Sequence, residues 1–162
     1  AALDWVARSH PGKRIAVMAF SMGASTAILT AAQDPRIEAL VLDSPFATMS
    51  GVIAANYRRY RLPGRLLLPV ADLVNRIFCG YAFEQVRPID AMRSLSPRPV
   101  LLLHSTKDRI IPYEHAQQLA EAAGLGKVEL VTFEGADHCG GYFVDRPGYI
   151  AKVARFLETV PR

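Results

Sequence analysis

A serine lies where a strand pattern meets a helical pattern, in Ala19-Phe20-Ser21-Met22-Gly23. Small residues stand two positions before and after Ser21, as a tight strand-to-helix turn requires when neighbouring chains approach it closely. Such a turn lifts the hydroxyl above the sheet edge and leaves the backbone N–H of Met22 free to donate to an oxyanion. The pentapeptide predicts a nucleophilic serine, and the alternative is a serine that only caps the helix.

A serine hydroxyl is a weak nucleophile without a neighbouring base, so a histidine is expected at a later strand end. Of the four histidines, His138 lies in a glycine-flanked loop after the last strand pattern, and this loop can carry the imidazole across to the serine. His10 falls in a turn at the wrong edge, His104 should end a strand half-buried, and His115 should lie on a helix surface. The sequence favours His138 as the base.

The acid that orients the histidine should lie between the serine and the histidine in sequence. Asp108 fits because it follows the third strand pattern, 87 residues after Ser21 and 30 residues before His138. The order serine, aspartate, histidine is that of the α/β-hydrolases and differs from the orders in chymotrypsin-like and subtilisin-like proteases. Asp43, at the end of the second strand pattern, is the second choice. Asp137 adjoins the histidine and is badly placed to orient it.

The elements that must position these side chains alternate between strands and helices. Short apolar runs predict strands at residues 14–20, 37–43, 99–104 and 128–133. Helical patterns cover the N-terminal residues and residues 22–33, 113–123 and 147–160. This alternation predicts an α/β fold with a mostly parallel sheet and flanking helices, in which function lies at the carboxyl ends of the strands.

Residues 47–96 interrupt the alternation with helical stretches, several prolines and no convincing strand. Apolar residues in this segment either roof an acyl pocket or pack the helices against the body. They are Val52, Ile53, Leu66, Leu67, Leu68, Val70, Leu73, Val74, Ile77 and Phe78.

Length and composition exclude several classes of protein. The chain has 162 residues, about one domain, and its 51% hydrophobic and 21% charged residues are typical of globular proteins. No apolar run reaches the roughly 20 residues of a transmembrane helix. Two cysteines, Cys79 and Cys139, exclude a disulfide scaffold and weakly favour the cytoplasm. Neither a metal nor a cofactor is expected, because the sequence has no phosphate loop and no ligand-spaced cluster.

The net charge of +4 includes four arginines at residues 58–65, with no acid among them. A nucleic-acid or acidic-lipid patch would fit this cluster. A solvated basic face is favoured instead, because no nucleic-acid-binding motif accompanies the arginines. We therefore expect no nucleic-acid partner.

The chain resembles the α/β-hydrolase superfamily, in particular serine hydrolases related to dienelactone hydrolase and to prolyl-oligopeptidase-type enzymes. The resemblance is carried by Phe20-Ser21-Met22-Gly23-Ala24, Leu42-Asp43-Ser44-Pro45-Phe46, residues 104–112 and residues 135–138. It implies that Ser21 is the nucleophile, Asp108 the acid and His138 the base.

The resemblance also implies a division of the chain. Residues 1–46 would be hydrolase core with the nucleophile turn, residues 47–96 a small helical cap, and residues 97–162 core with the acid and the histidine. The implied activity is that of a carboxylesterase-like serine hydrolase that cleaves an ester or amide through an acyl-enzyme, with a small acyl ester or short peptide as substrate. The alternatives are a prolyl-oligopeptidase-type peptidase and a truncated, catalytically inactive module.

Three features depart from the family pattern. Ala19 replaces the first glycine of the turn, and Ser105 stands where a glycine commonly follows the histidine. The first four strands are absent, and with them the loop that supplies the second oxyanion N–H. The strand at residues 14–20 should therefore have an unpaired apolar edge. We expect a fragment of a longer enzyme, or a subunit that pairs this edge with another chain, as in a homo-oligomer.

Overall fold

Helices and strands alternate along the chain in the computed structural model, which describes residues 1–95, 97–124 and 128–160. The strands are β1 (Ile15–Phe20), β2 (Ile37–Asp43), β3 (Val100–Ser105) and β4 (Val128–Phe133). The α-helices are α1 (Ala2–Ser9), α2 (Ser21–Gln33), α3 (Met49–Arg59), α4 (Gly64–Cys79), α5 (Pro88–Arg93), α6 (Glu114–Ala123), α7 (Gly141–Val144) and α8 (Arg146–Thr159). A 3₁₀ turn spans Phe83–Gln85.

The four strands form one parallel sheet in the order β1-β2-β3-β4. Every residue of β3 and all but one residue of β2 are buried, which explains why both strands are continuous apolar runs in the sequence. Phe20 pairs with Asp43 and Ser105 pairs with Phe133, so the carboxyl ends of all four strands lie at one edge. The predicted α/β class, with a mostly parallel sheet and flanking helices, is confirmed.

Alternate residues of the central strands face two separate cores. Leu40 and Leu102 face a core covered by α2, α5 and α6, whereas Val41 and Leu101 face a core covered by α8. The small residues of α2 allow that helix to pack closely on the sheet. Those that are buried are Ala24, Ser25, Ala27 and Ala31. The predicted helices therefore cover both faces of the sheet.

The segment 47–96 contains α3, α4, the 3₁₀ turn and α5, and none of its described residues forms a strand. Its α5 packs against α2 and α6 and contributes Met92 to the core. In α4, by contrast, no residue is buried, and several of the apolar residues expected to roof a pocket or pack against the body are exposed. The division into core and cap stays a prediction.

No single described helix is long and apolar enough to cross a membrane. Together, α4 and the segment Phe83–Arg93 are long and apolar enough to do so, but the chain bends by 81° between them.

Among the described residues, β1 pairs only with β2, so its other edge is open. Met18 and Phe20 are about half exposed there and line an open apolar groove of about 670 Å³ with residues of α7 and α8. The short helix α7 was not expected from the sequence. Pairing of this edge with another chain stays a prediction.

Arg98 joins the end of α2 to the start of β2. Its Nη1 donates to the carbonyl oxygens of Ala31 at 2.5 Å, Asp34 at 3.3 Å and Ile37 at 3.1 Å. The Ala31 carbonyl lies in the last turn of α2, where carbonyls have no helical donor, so the guanidinium supplies its partner. The Asp34 carbonyl also accepts from the Ile37 N–H at 3.3 Å, and Arg98 adds a second donor there.

We expect Arg98→Met to lower the free energy of unfolding by about 1–3 kcal/mol, because charged hydrogen bonds to partly buried carbonyls are lost. Urea denaturation measures this change. Arg155→Met is the matched control, since Arg155 makes only an exposed pair with Glu129, and it should change stability by less than about 0.5 kcal/mol. Equal losses in the two variants would contradict the assigned role of Arg98.

Candidate active site

Ser21 begins α2 directly after β1, in a backbone conformation that L-residues rarely adopt. Its φ is +52°, whereas the preceding Phe20 is extended with a φ of −127°. This change turns the chain sharply, and residues held in such conformations cluster at functional sites. Apart from its two chain neighbours and the nearby backbone of its own helix, no described residue lies within 4 Å of a Cβ placed at Gly23. We predicted that this position requires a small residue, and no contact in the described part of the chain accounts for that requirement.

Three side chains from different strand ends form a hydrogen-bonded series. His138 Nε2 lies 2.8 Å from Ser21 Oγ, and His138 Nδ1 lies 2.7 Å from Asp108 Oδ2. Ser21 follows β1, Asp108 follows β3 and His138 follows β4. The structure thus brings together the three side chains that the sequence singled out, across 117 residues between the serine and the histidine.

Asp108 is held by its own loop. Its Oδ1 accepts hydrogen bonds from the backbone N–H groups of Ile110 at 2.9 Å and Ile111 at 2.8 Å. Burial by itself would raise the pKa of this carboxyl, but the hydrogen bonds from His138, Ile111 and Ile110 outweigh burial and hold the pKa below its ordinary value. The side chain is fully buried and, at neutral pH, ionised.

His138 has an imidazole that is much more basic than usual. The hydrogen bond to Asp108, followed by one to the Cys139 side chain, outweighs burial and raises the pKa of His138 to about 10. The bond to the Asp108 carboxylate thus favours the protonated ring, which donates from Nδ1 to Asp108 and from Nε2 to Ser21 Oγ. The neutral ring, which can act as a base, becomes more populated as the pH rises.

The loop that carries the histidine is anchored to the end of β2. The Cys139 N–H donates to Ser44 Oγ at 3.2 Å, and Ser44 Oγ donates to Asp43 Oδ1 at 3.0 Å. Tyr149 Oη of α8 donates to Asp43 Oδ2 at 2.9 Å. Ser44 and Cys139 both have positive φ, of +52° and +51°. These hydrogen bonds hold Cys139, the strained residue that follows His138, in place.

Asp43, the second choice for the acid, has no hydrogen bond to His138 in this structure. It is 3% exposed, and burial raises the pKa of its carboxyl despite the hydrogen bonds from Tyr149 and Ser44. Sequence reasoning recognised Asp43 at a strand end but missed Ser44 and Tyr149 as its partners. The position of Ser44 after a buried strand was a usable signal, whereas nothing in the sequence pointed to Tyr149.

Two expectations about histidine burial were wrong. His104, expected half-buried, is fully buried because β3 is a central strand, and its Nε2 donates to the Ile111 carbonyl at 2.9 Å. His115, expected on the surface, is buried because its face of α6 packs on the sheet side, where its Nδ1 accepts from the Ala47 N–H at 3.2 Å. Burial lowers the pKa of both imidazoles, and neither contacts Ser21.

Two further candidates lie close to the series. Met22 is in the first turn of α2, where backbone N–H groups have no helical acceptor. Asp137 accepts from the backbone N–H groups of His138 at 2.9 Å and Arg109 at 3.1 Å, and it does not bond the imidazole. Among the described residues, no group of three or more histidine, cysteine or acidic side chains could hold a metal ion.

A family model described as the alpha/beta hydrolase family matches residues 1–153. The uncharacterized protein YqkD of Bacillus subtilis is 33% identical over 143 residues, which cover 86% of this chain and 46% of that protein. The chain spans about half the length of the curated relatives it matches.

Solved structures show the same fold. The Pyrococcus furiosus esterase Pf2001 superposes with a TM-score of 0.76 at 25% identity, over 99% of this chain and 59% of that chain. A puromycin-hydrolyzing peptidase of Mycobacterium tuberculosis has a TM-score of 0.70 at 21% identity, over 98% of this chain and 24% of that chain. At 21% identity, the likeness to the peptidase is one of fold alone.

We expect Tyr149→Phe to lower the free energy of unfolding by about 1–3 kcal/mol at neutral pH, because the buried Asp43 carboxylate loses a donor. The loss should be smaller in acid, since protonation of Asp43 removes the buried charge that needs the donor. Urea denaturation at pH 7 and at pH 4 measures both effects. Tyr142→Phe, in which no described hydrogen bond of the hydroxyl is lost, is the control. A pH-independent loss would exclude this explanation.

Proposed function

The chain belongs to the alpha/beta hydrolase family, and on that premise we propose that it is a serine hydrolase that cleaves a carboxylic ester through an acyl-enzyme. The observation that carries the proposal is the hydrogen-bonded series Ser21–His138–Asp108, with distances of 2.8 Å and 2.7 Å. A nucleophile, a base and an orienting acid within bonding reach are what acyl transfer requires.

In the proposed reaction, deprotonated His138 accepts the proton of Ser21 as Oγ attacks the substrate carbonyl carbon. The tetrahedral intermediate collapses, the bond to the leaving oxygen breaks, and His138 returns the proton to the departing alcohol. Water then attacks the acyl-enzyme with His138 again as base, which releases the carboxylic acid and restores the Ser21 hydroxyl. Asp108 stays ionised throughout and stabilises the imidazolium.

The oxyanion of each tetrahedral intermediate needs hydrogen-bond donors. The Met22 N–H is suited to this role because it lies in the first turn of α2, beside the serine, where the helix dipole also favours negative charge. A second donor from a loop upstream of these strands, as the family pattern implies, would raise the rate further by about 10²–10³-fold.

An ester is preferred over an amide as the proposed substrate because the chain matches the Pyrococcus furiosus esterase at 25% identity over 99% of this chain and 59% of the esterase. The likeness to the peptidase is confined to the fold and gives no support to peptide cleavage. The substrate class is therefore a small acyl ester. A comparison of the hydrolysis rates of short p-nitrophenyl esters and of aminoacyl-naphthylamides distinguishes an esterase from a peptidase.

We expect Ser21→Ala in the full-length protein to lower ester hydrolysis by roughly 10⁶-fold and to abolish covalent labelling by a fluorophosphonate, because the attacking oxygen is gone. Intact-protein mass spectrometry and a p-nitrophenyl ester assay measure the two effects. Ser94→Ala is the matched control, since Ser94 is an exposed serine that bonds only the Ala91 carbonyl. Labelling that survives in Ser21→Ala would show that another residue is the nucleophile.

We expect kcat/KM to rise with pH towards about 10, because the free site needs His138 neutral and the pKa of His138 is raised to about 10. Cys139→Ala should move this rise to lower pH, since one of the hydrogen bonds that raise the pKa is removed. Cys79→Ala, at an exposed cysteine outside the site, is the control. A profile that is flat above pH 7, or unmoved in Cys139→Ala, contradicts this assignment.

A further inference from the structure

The helix α4 carries an apolar stripe that the described residues leave uncovered. Its members have exposed fractions of 49% to 82% and are Leu66, Val70, Leu73, Val74, Ile77 and Phe78. The spacing places them along one side of an α-helix, and helices of globular proteins normally turn such a side towards the core. Here the stripe faces solvent, and the helix buries no residue completely.

Specific hydrogen bonds fix the rotation of α4 about its axis. Asp72 Oδ1 accepts from the Phe83 N–H at 2.6 Å, and Asn75 Nδ2 donates to the Tyr81 carbonyl at 2.6 Å. Both polar side chains therefore point back to the chain that follows the helix. The outward direction of the apolar stripe is a consequence of these bonds and of the packing of α4 on α3.

The segment that carries the stripe is also basic. Residues 49–79 contain five arginines and one acid, Asp72, so this segment accounts for the whole net charge of +4. All five arginines are exposed, and none forms a salt bridge with a described residue. They are Arg58, Arg59, Arg61, Arg65 and Arg76.

We propose that α4 docks on an anionic lipid surface, with its apolar stripe in the interface and the arginines against the headgroups. An apolar helical stripe in a segment whose exposed arginines form no described salt bridge is the pattern of interfacial helices. Long arginine side chains can keep their charge at headgroup level while the helix lies in the interface. A nucleic acid would use the arginines but would leave the apolar stripe in water, so the charge and the stripe together favour lipid.

The docking surface is connected to the candidate active site through α3. Asn56 Nδ2 donates to the Ile110 carbonyl at 2.9 Å, and Arg59 Nη1 donates to the Arg109 carbonyl at 2.6 Å. Both carbonyls belong to the loop that holds Asp108. A lipid surface bound at α4 therefore lies one helix away from this loop. This inference goes beyond the proposed ester hydrolysis, because docking does not require an active serine.

The test is cosedimentation of the full-length protein with vesicles of phosphatidylcholine, with and without about one third phosphatidylglycerol. We expect stronger binding to the anionic vesicles, weakened by salt. Leu73→Glu with Ile77→Glu should abolish binding to both. The triple variant Arg61→Gln, Arg65→Gln, Arg76→Gln should weaken binding to anionic vesicles by about 100-fold and leave the weak binding to neutral vesicles unchanged.

The control carries Trp5→Glu with Arg8→Gln, two exposed residues of α1, and should bind like the wild type. Ser21→Ala should also bind like the wild type, which separates a failure of docking from a failure of the proposed hydrolysis. Circular dichroism confirms that each variant is folded.

Three outcomes would overturn the proposal. The first is unchanged vesicle binding in the stripe variant, and the second is equal affinity of the wild type for neutral and anionic vesicles. The third is absence of vesicle binding. If the protein is then a dimer that the stripe variant converts to a monomer, the surface binds a second copy of the chain. If it is a monomer that binds duplex DNA through the arginines, the surface binds a nucleic acid.

Discussion

The hydrogen bond between His138 Nδ1 and Asp108 Oδ2 is the interaction on which the candidate site depends. It keeps the carboxylate ionised in a buried position, raises the pKa of the imidazole, and orients Nε2 towards Ser21 Oγ. Without it the buried Asp108 carboxylate would keep only the backbone donors of its loop and the more distant His104 Nε2 at 3.4 Å, and the imidazole would lose its orientation. The pKa shifts of Asp108 and His138 and the orientation of the imidazole towards Ser21 therefore all depend on one contact between the ends of β3 and β4.

Backbone strain is concentrated around this contact. Four described non-glycine residues have positive φ, and three of them, Ser21, Ser44 and Cys139, lie at the carboxyl edge of the sheet. Strain of this kind persists only where the surrounding structure compensates for it. Here the compensation comes from the β1–α2 junction and from the bonds that link Cys139 through Ser44 to Asp43. The rigid ends of the central strands thus determine the position of the histidine loop.

The helices of residues 49–79 differ from the rest of the chain in both charge and burial. The sheet and its covering helices bury apolar residues in two cores and carry balanced charge, whereas α4 exposes its apolar side and its neighbourhood holds the excess arginines. Through α3 this region contacts the loop of Asp108. The same segment therefore combines a surface suited to an interface with a direct connection to the candidate site.

The sequence by itself determined the parallel α/β sheet and the three candidate side chains, because buried strands are continuous apolar runs and function follows strand ends in such sheets. The burial of His104 and His115, the bond from Tyr149 to Asp43 and the outward face of α4 were decided only by tertiary structure. Periodicity shows which side of a helix a residue occupies and which short runs form strands. Which neighbour covers that side depends on contacts between residues far apart in the chain, and no local pattern encodes them.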